Sequence, residues 1–142
     1  MKRKASAHWE GSLKDGKGTV STESGVLSDQ AYSFRTRFED GKGTNPEELL
    51  GVAHAGCFSM ALSMVLGESD YVPDSIDTKA EVELTEVEGG FEISAIHFDV
   101  HAKVPGADEV ALLEAANTAK VNCPVSKALK PDITMDVHLV ND

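Results

Sequence analysis

The segment from Asn45 to Glu68, NPEELLGVAHAGCFSMALSMVLGE, limits what this chain can fold into more than any other stretch. Asn45 is a good helix N-cap, and Pro46 suits the first helical position. Glu47 and Glu48 complement the helix dipole, and Glu48 completes a capping-box-like Asn-x-x-Glu. Gly67 marks the stop. From Leu49 to Leu66 there is no formal charge. A helix apolar nearly all round needs cover on several sides, and one modest sheet covers only one. Gly51 and Gly56 each cost up to about 1 kcal/mol in a helix interior and make sense if another backbone comes close. The expectation is that two copies of this helix pack together in a homodimer. The stretch also reaches the length of a membrane span. His54, Ser59, Ser63, two glycines and acidic flanks argue instead for a helix buried in protein.

The remaining pattern is α+β. Ala5, Ala7 and Trp9 alternate with polar residues, and glycines at 11, 16, 18 and 25 punctuate the turns that follow. Tyr32, Phe34, Thr36 and Phe38 read as one face of a third strand, with Arg35 and Arg37 on the other. Gly41-Lys42-Gly43 breaks the chain before the long helix. Ile76, Thr78, Ala80, Val82 and Leu84 form a clean strand face, and Gly89-Gly90 makes a hairpin turn. The return strand changes phase after Ala95, the mark of a β-bulge. Asp108 caps a helix to about Lys120, Cys123-Pro124 starts a short one, and Ile133 to Leu139 is the last strand. The predicted order is βββ-α-ββ-α-α-β, read as one domain over residues 1–142 with antiparallel sheets around long central buried helices.

A net charge of −11 argues against a nucleic-acid partner, because phosphate binding needs clustered Lys and Arg. Lys2, Arg3 and Lys4 are followed by no apolar core of a signal peptide, so the chain reads as cytoplasmic, where thiols stay reduced. Cys57, mid-helix, fits an inert core thiol as well as a reactive one. Cys123 precedes Pro124 at a helix start, where unpaired N–H groups favour a thiolate, and on local chemistry it is the better nucleophile. His54 and Cys57 lie three apart, but the paired spacing of a zinc site is missing, and no metal is expected. His54 reads as a satisfied interface histidine. His8, His97, His101 and His138 carry no signal. No Gly-x-Ser-x-Gly marks a serine hydrolase.

Three segments carry a resemblance: AHWEGSLKDGKGTVSTESGVL, RTRFEDGKGTNPEELLGVAHAGCFSMALS and NCPVSKALK. Together they closely resemble the osmotically inducible protein C (OsmC) family over essentially the whole chain, and match it more closely than the related organic hydroperoxide resistance proteins. The resemblance implies a bacterial thiol peroxidase working as an intertwined homodimer. By it, Cys57 matches the peroxidatic cysteine, Cys123 the resolving one, and Arg37 and Glu47 the active-site arginine and glutamate. It implies an organic hydroperoxide substrate, a dithiol reductant of the lipoyl type, and no cofactor. A guanidinium beside Cys57 would stabilise the thiolate, and Glu47 would hold it by a bidentate pair. Ten residues of helix put Glu47 and Cys57 about 15 Å apart along the axis, so either the partner's helix supplies the glutamate, giving a composite site at the dimer interface, or a long Arg37 spans the gap. The alternative from another class is a non-catalytic homodimer that binds a small ligand or senses redox state.

Overall fold

In the computed structural model, which describes residues 1–141, the N-terminal alternation becomes β1 (Ala5–Glu10), β2 (Lys17–Thr22) and β3 (Gln30–Tyr32). They form an antiparallel sheet in the order β1-β2-β3. Gly18 pairs with Trp9 on one side and Tyr32 on the other, and the two rings stand 5.4 Å apart. A Cβ on Gly18 would lie 2.6 Å from both rings, so only glycine fits beneath them.

The third strand ends earlier than its alternation predicts. Phe34–Phe38 is a short helix, α1, and Arg35 and Arg37 do not share a strand face. Ser33 caps it reciprocally: its hydroxyl accepts from the Thr36 N–H, and the Thr36 hydroxyl accepts from the Ser33 N–H. Residues four apart coincide in both the strand and the helix period. The Phe34 and Phe38 rings, 4.9 Å apart, therefore stack on one helix face as readily as on one strand face. The capping box decides for the helix.

The chain divides into two compact units at Leu49/Leu50. The long helix, α2 (Pro46–Glu68), starts in the first and runs on into the second. Asn45 caps it, its side-chain oxygen accepting from the Glu48 N–H at 2.8 Å. The Glu48 carboxylate accepts from the Thr44 hydroxyl, also at 2.8 Å.

The second unit contains β4 (Ser75–Val87), β5 (Gly90–Lys103), α3 (Glu109–Asn122), α4 (Pro124–Ala128) and β6 (Ile133–Leu139). β4 and β5 form the expected hairpin. The bulge is present: Glu83 pairs with Ala95 and Leu84 with Ile93, which leaves Ser94 without a ladder partner. β6 joins β5 in parallel, so this sheet is mixed rather than antiparallel. A parallel pair needs a crossover, and α3 and α4 supply it. The α+β class holds, with the order βββ-α-α-ββ-α-α-β.

The core of this unit lies between β5 and the two longer helices. Phe58, Leu62 and Leu66 of α2 meet Ile96, Phe98, Val100 and Ala102 of β5 and Leu112, Ala115, Ala116 and Ala119 of α3. Buried residues recur on α2 at 51, 54, 58, 62 and 66, one helix face. The opposite face is uncovered: Val52 is 68% exposed, Met60 77% and Met64 62%. By length and composition α2 could cross a membrane, and only 28% of its most apolar window is buried within this chain. Gly51 faces Ala80 and Val82 of β4 at ordinary contact distance, whereas Gly56 has open space around it.

Candidate active site

Within the first unit, Arg37 in the last turn of α1 meets Glu47 in the first turn of α2. Both Nε and Nη2 of Arg37 donate to the same oxygen, Glu47 Oε1, at 3.0 and 2.9 Å. The sequence reading expects a bidentate pair, and the guanidinium does give two donors, both to one carboxylate oxygen. Glu47 is buried, and its Oε2 has no partner among the described residues. The pair itself is a charge-assisted one that fixes the plane of the guanidinium.

Within the second unit, 66 residues of sequence separate two thiols that the fold brings together. Cys57 lies beside the buried stripe of α2 and is half-buried; Cys123 is fully buried at the α3–α4 junction. Pro124 creates that junction. It has no N–H to continue α3, and it pushes the preceding residue out of helical geometry. Cys123 accordingly has ψ 126°, closes α3 through its N–H to Ala119 O, and stands at the N-cap of α4. Both cysteines are free thiols, joined by an S–H···S bond with the sulfurs 2.7 Å apart.

The first N–H groups of α4 surround this pair. Burial pushes the Cys57 thiol up, the bond with Cys123 adds to that, and the Val125 N–H opposes it. Burial acts on Cys123 in the same direction, but there it is outweighed. Hydrogen bonds from Cys57, the Ser126 N–H and hydroxyl, and the Val125 N–H hold Cys123 below the usual thiol value. The two thiols are in direct contact, so their titrations are linked and the first proton is lost by the pair rather than by either residue alone. The charge rests best on Cys123, and the less buried sulfur is Cys57.

One residue behind the thiols has a place that its spacing did not reveal. His54 is completely buried, packs edge-on against Phe98 at 4.6 Å, and bonds the Ser126 hydroxyl through Nε2 at 2.7 Å. Burial lowers its pKa, so the ring is neutral. Its Nδ1 is buried with no partner among the described residues. An orphaned lone pair costs less than an orphaned N–H, which favours the Nε2–H tautomer donating to Ser126. The Ser126 hydroxyl is then free to donate to Cys123. His54 therefore supports the thiol pair through a serine 72 residues away. Only the tertiary fold could reveal that link.

A model of the OsmC-like protein family matches residues 39–138. This chain belongs to the OsmC-like family. It is similar to "Peroxiredoxin OsmC" of Escherichia coli, 56% identical over 137 residues that cover 96% of each protein. It also resembles "Organic hydroperoxide resistance protein OhrB" of Bacillus subtilis, 31% identical over 86% of this chain and 88% of that one. The crystal structure of OhrB superposes with a TM-score of 0.72 over 96% of this chain and 97% of that chain. An OsmC structure from Legionella pneumophila, 25% identical, superposes with a TM-score of 0.70 over 96% and 97% of the two chains. The α+β fold described above is thus the family's fold.

Proposed function

We propose that this chain is a cysteine-based peroxidase that reduces organic hydroperoxides. The observation that carries the reading is the free thiol pair, 2.7 Å apart, in a chain similar to a peroxiredoxin and to organic hydroperoxide resistance proteins. Cys57, the more accessible sulfur, attacks the terminal oxygen of R–O–O–H as a thiolate. The O–O bond breaks, the alkoxide takes a proton to become an alcohol, and Cys57 is left as a sulfenic acid. Cys123 then attacks the Cys57 sulfur and releases the hydroxyl as water, forming a disulfide. A dithiol reductant, of which a lipoylated protein is one example, restores both thiols by exchange and is itself oxidised. One hydroperoxide and two thiols become one alcohol, one water and one disulfide.

In this proposal Arg37 supplies positive charge and N–H donors to the thiolate and the departing oxygen, and Glu47 anchors it. Because the guanidinium uses only Nε and Nη2 on Glu47, Nη1 is left for another acceptor. The uncovered face of α2, with Val52, Gly56, Met60 and Met64, supports a homodimer in which a second copy covers it. The site would then be composite across that interface. Turnover through free thiols suits the cytoplasm, where reductants keep such pairs reduced.

The test is stopped-flow consumption of cumene hydroperoxide by the reduced protein, with intact mass after quenching. The expected result is rapid loss of one peroxide per chain and loss of two hydrogens from the protein. Cys123→Ser should still consume one equivalent and trap Cys57 as sulfenic or sulfinic acid. Reaction no faster than a free thiol would overturn the reading and favour a non-catalytic ligand-binding or redox-sensing dimer.

A further inference from the structure

The outward face of the β4–β5–β6 sheet carries a cluster that has no part in the thiol chemistry. Strand pairing places Asp77, His101 and His138 in one row across three strands. Lys79, Asp99 and Asp136 form the next row, and Glu81, His97 and Thr134 the third. Residues two apart on a strand share a face, so while Ile96, Phe98 and Val100 enter the core, His97, Asp99 and His101 stand outside. Asp99 Oδ2 lies 3.3 Å from His101 Nε2, and Asp99 Oδ1 lies 3.3 Å from His138 Nε2. The two imidazoles stack with centroids 4.5 Å apart. One donor atom from each of the three residues lies within 4.8 Å of the others.

We propose that Asp99, His101 and His138 form a binding site for a borderline divalent transition-metal ion of the zinc class. Two imidazoles and a carboxylate suit such an ion and do not suit magnesium or calcium, which want oxygen alone. The spacing fits too. A tetrahedral ion with bonds of about 2.0–2.1 Å needs donors about 3.3–3.4 Å apart. The Asp99 carboxylate already reaches each imidazole at 3.3 Å, Oδ2 to His101 and Oδ1 to His138, and one donor from each residue lies within 4.8 Å of the others, so a small rotation of the carboxylate brings a single oxygen into place. The gap between the two Nε2 atoms closes by rotation of side chains that are 45% and 49% exposed and pack in no core. Water completes the coordination on the open side.

The surrounding charges are mixed, so the three ligands themselves carry the preference for a cation. Asp77 stands beside His101 and Asp136 beside Asp99, with Glu81 one row further on; Lys79, across the strand from Asp99, and Lys103, two residues on from His101, oppose them. His97 flanks the site without completing it, since its nitrogens contact Thr134 Oγ1 at 2.6 Å and Asp136 Oδ2 at 3.1 Å. The sequence reading assigned these histidines nothing, because cross-strand register is what assembles them. The legible trace is the alternation His97-x-Asp99-x-His101 on one strand.

The test is calorimetric titration of zinc into the full-length Cys57→Ser/Cys123→Ser protein, a background that removes the thiols as competing ligands. The expected result is one saturable site per chain at micromolar zinc, with magnesium giving no heat. His101→Gln, His138→Gln and Asp99→Asn should each weaken binding by about tenfold or more, and His8→Gln should leave it unchanged. Imidazole NMR signals of His101 and His138 should shift on zinc addition, and that of His54 should not. Circular dichroism identifies any variant that fails to fold. Absence of saturable binding, or a site that survives in the folded His101→Gln/His138→Gln double variant, overturns the proposal.

Discussion

Oxidation of the thiol pair should stabilise the folded chain by an amount that its loop length predicts. A Cys57–Cys123 disulfide closes a loop of 66 residues. Loop-closure entropy removed from the unfolded chain is then worth about 4 kcal/mol at room temperature. The fold already brings the two thiols into contact, so closing the disulfide asks for little movement of α2 or of the α3–α4 junction. With a urea m-value of about 2 kcal/mol/M for a chain of this size, the midpoint should rise by about 2 M. The assay is urea unfolding of the fully reduced and fully oxidised protein at one fixed concentration, because dimerisation would make the midpoint concentration-dependent. Intact mass and thiol counting should verify each redox state. Equal midpoints, or a lower one for the oxidised protein, would refute the reasoning. The disulfide would then be distorting the α3–α4 junction by as much as it constrains the unfolded chain.

Other outcomes follow from the same geometry. His54 has a folded pKa depressed by burial, so the unfolded state binds a proton first as pH falls. Its contribution to stability is complete above the unfolded histidine value and is lost as pH drops through it toward the folded one. The slope is at most about 1.4 kcal/mol per pH unit. Denaturation midpoints of His54→Gln measured across that range should fall less steeply than those of the parent; parallel slopes would mean the ring is not neutral and buried. In a pH series of iodoacetamide alkylation, the parent thiol pair should lose its first proton below the ordinary thiol value. Cys123→Ser should move that midpoint up, because burial then acts on Cys57 without a partner to take the charge. Arg37→Lys keeps the charge but not the forked donors on Glu47. Single-turnover peroxide reduction should slow by about tenfold or more, while thermal stability changes by about 1 kcal/mol or less, as for a partly exposed ion pair.

Much of this molecule is legible in its sequence because the signals are local. Asn45, Pro46 and the acidic first turn define where α2 starts; alternation defines β4, and a phase change after Ala95 betrays the bulge that β5 makes one residue earlier, at Ser94. The helix-start position of Cys123 follows from Pro124 alone. Where two local periods coincide the sequence is ambiguous. Phe34 and Phe38, four apart, fit either strand or helix, and only the reciprocal Ser33–Thr36 bonds resolve the question. Pairings distant in sequence could not be read at all. The parallel docking of β6 on β5, the bond from His54 to Ser126, and the row of Asp77, His101 and His138 depend on register. Register is set by how whole faces bury, since a slip of one residue would turn every side chain of a strand to the other side. The approach of Cys57 to Cys123 is of this kind. Composition placed one thiol in an apolar helix and the other before a proline. Packing of α2 and α3 on β5 brought their sulfurs together and left the opposite face of α2 uncovered within the chain.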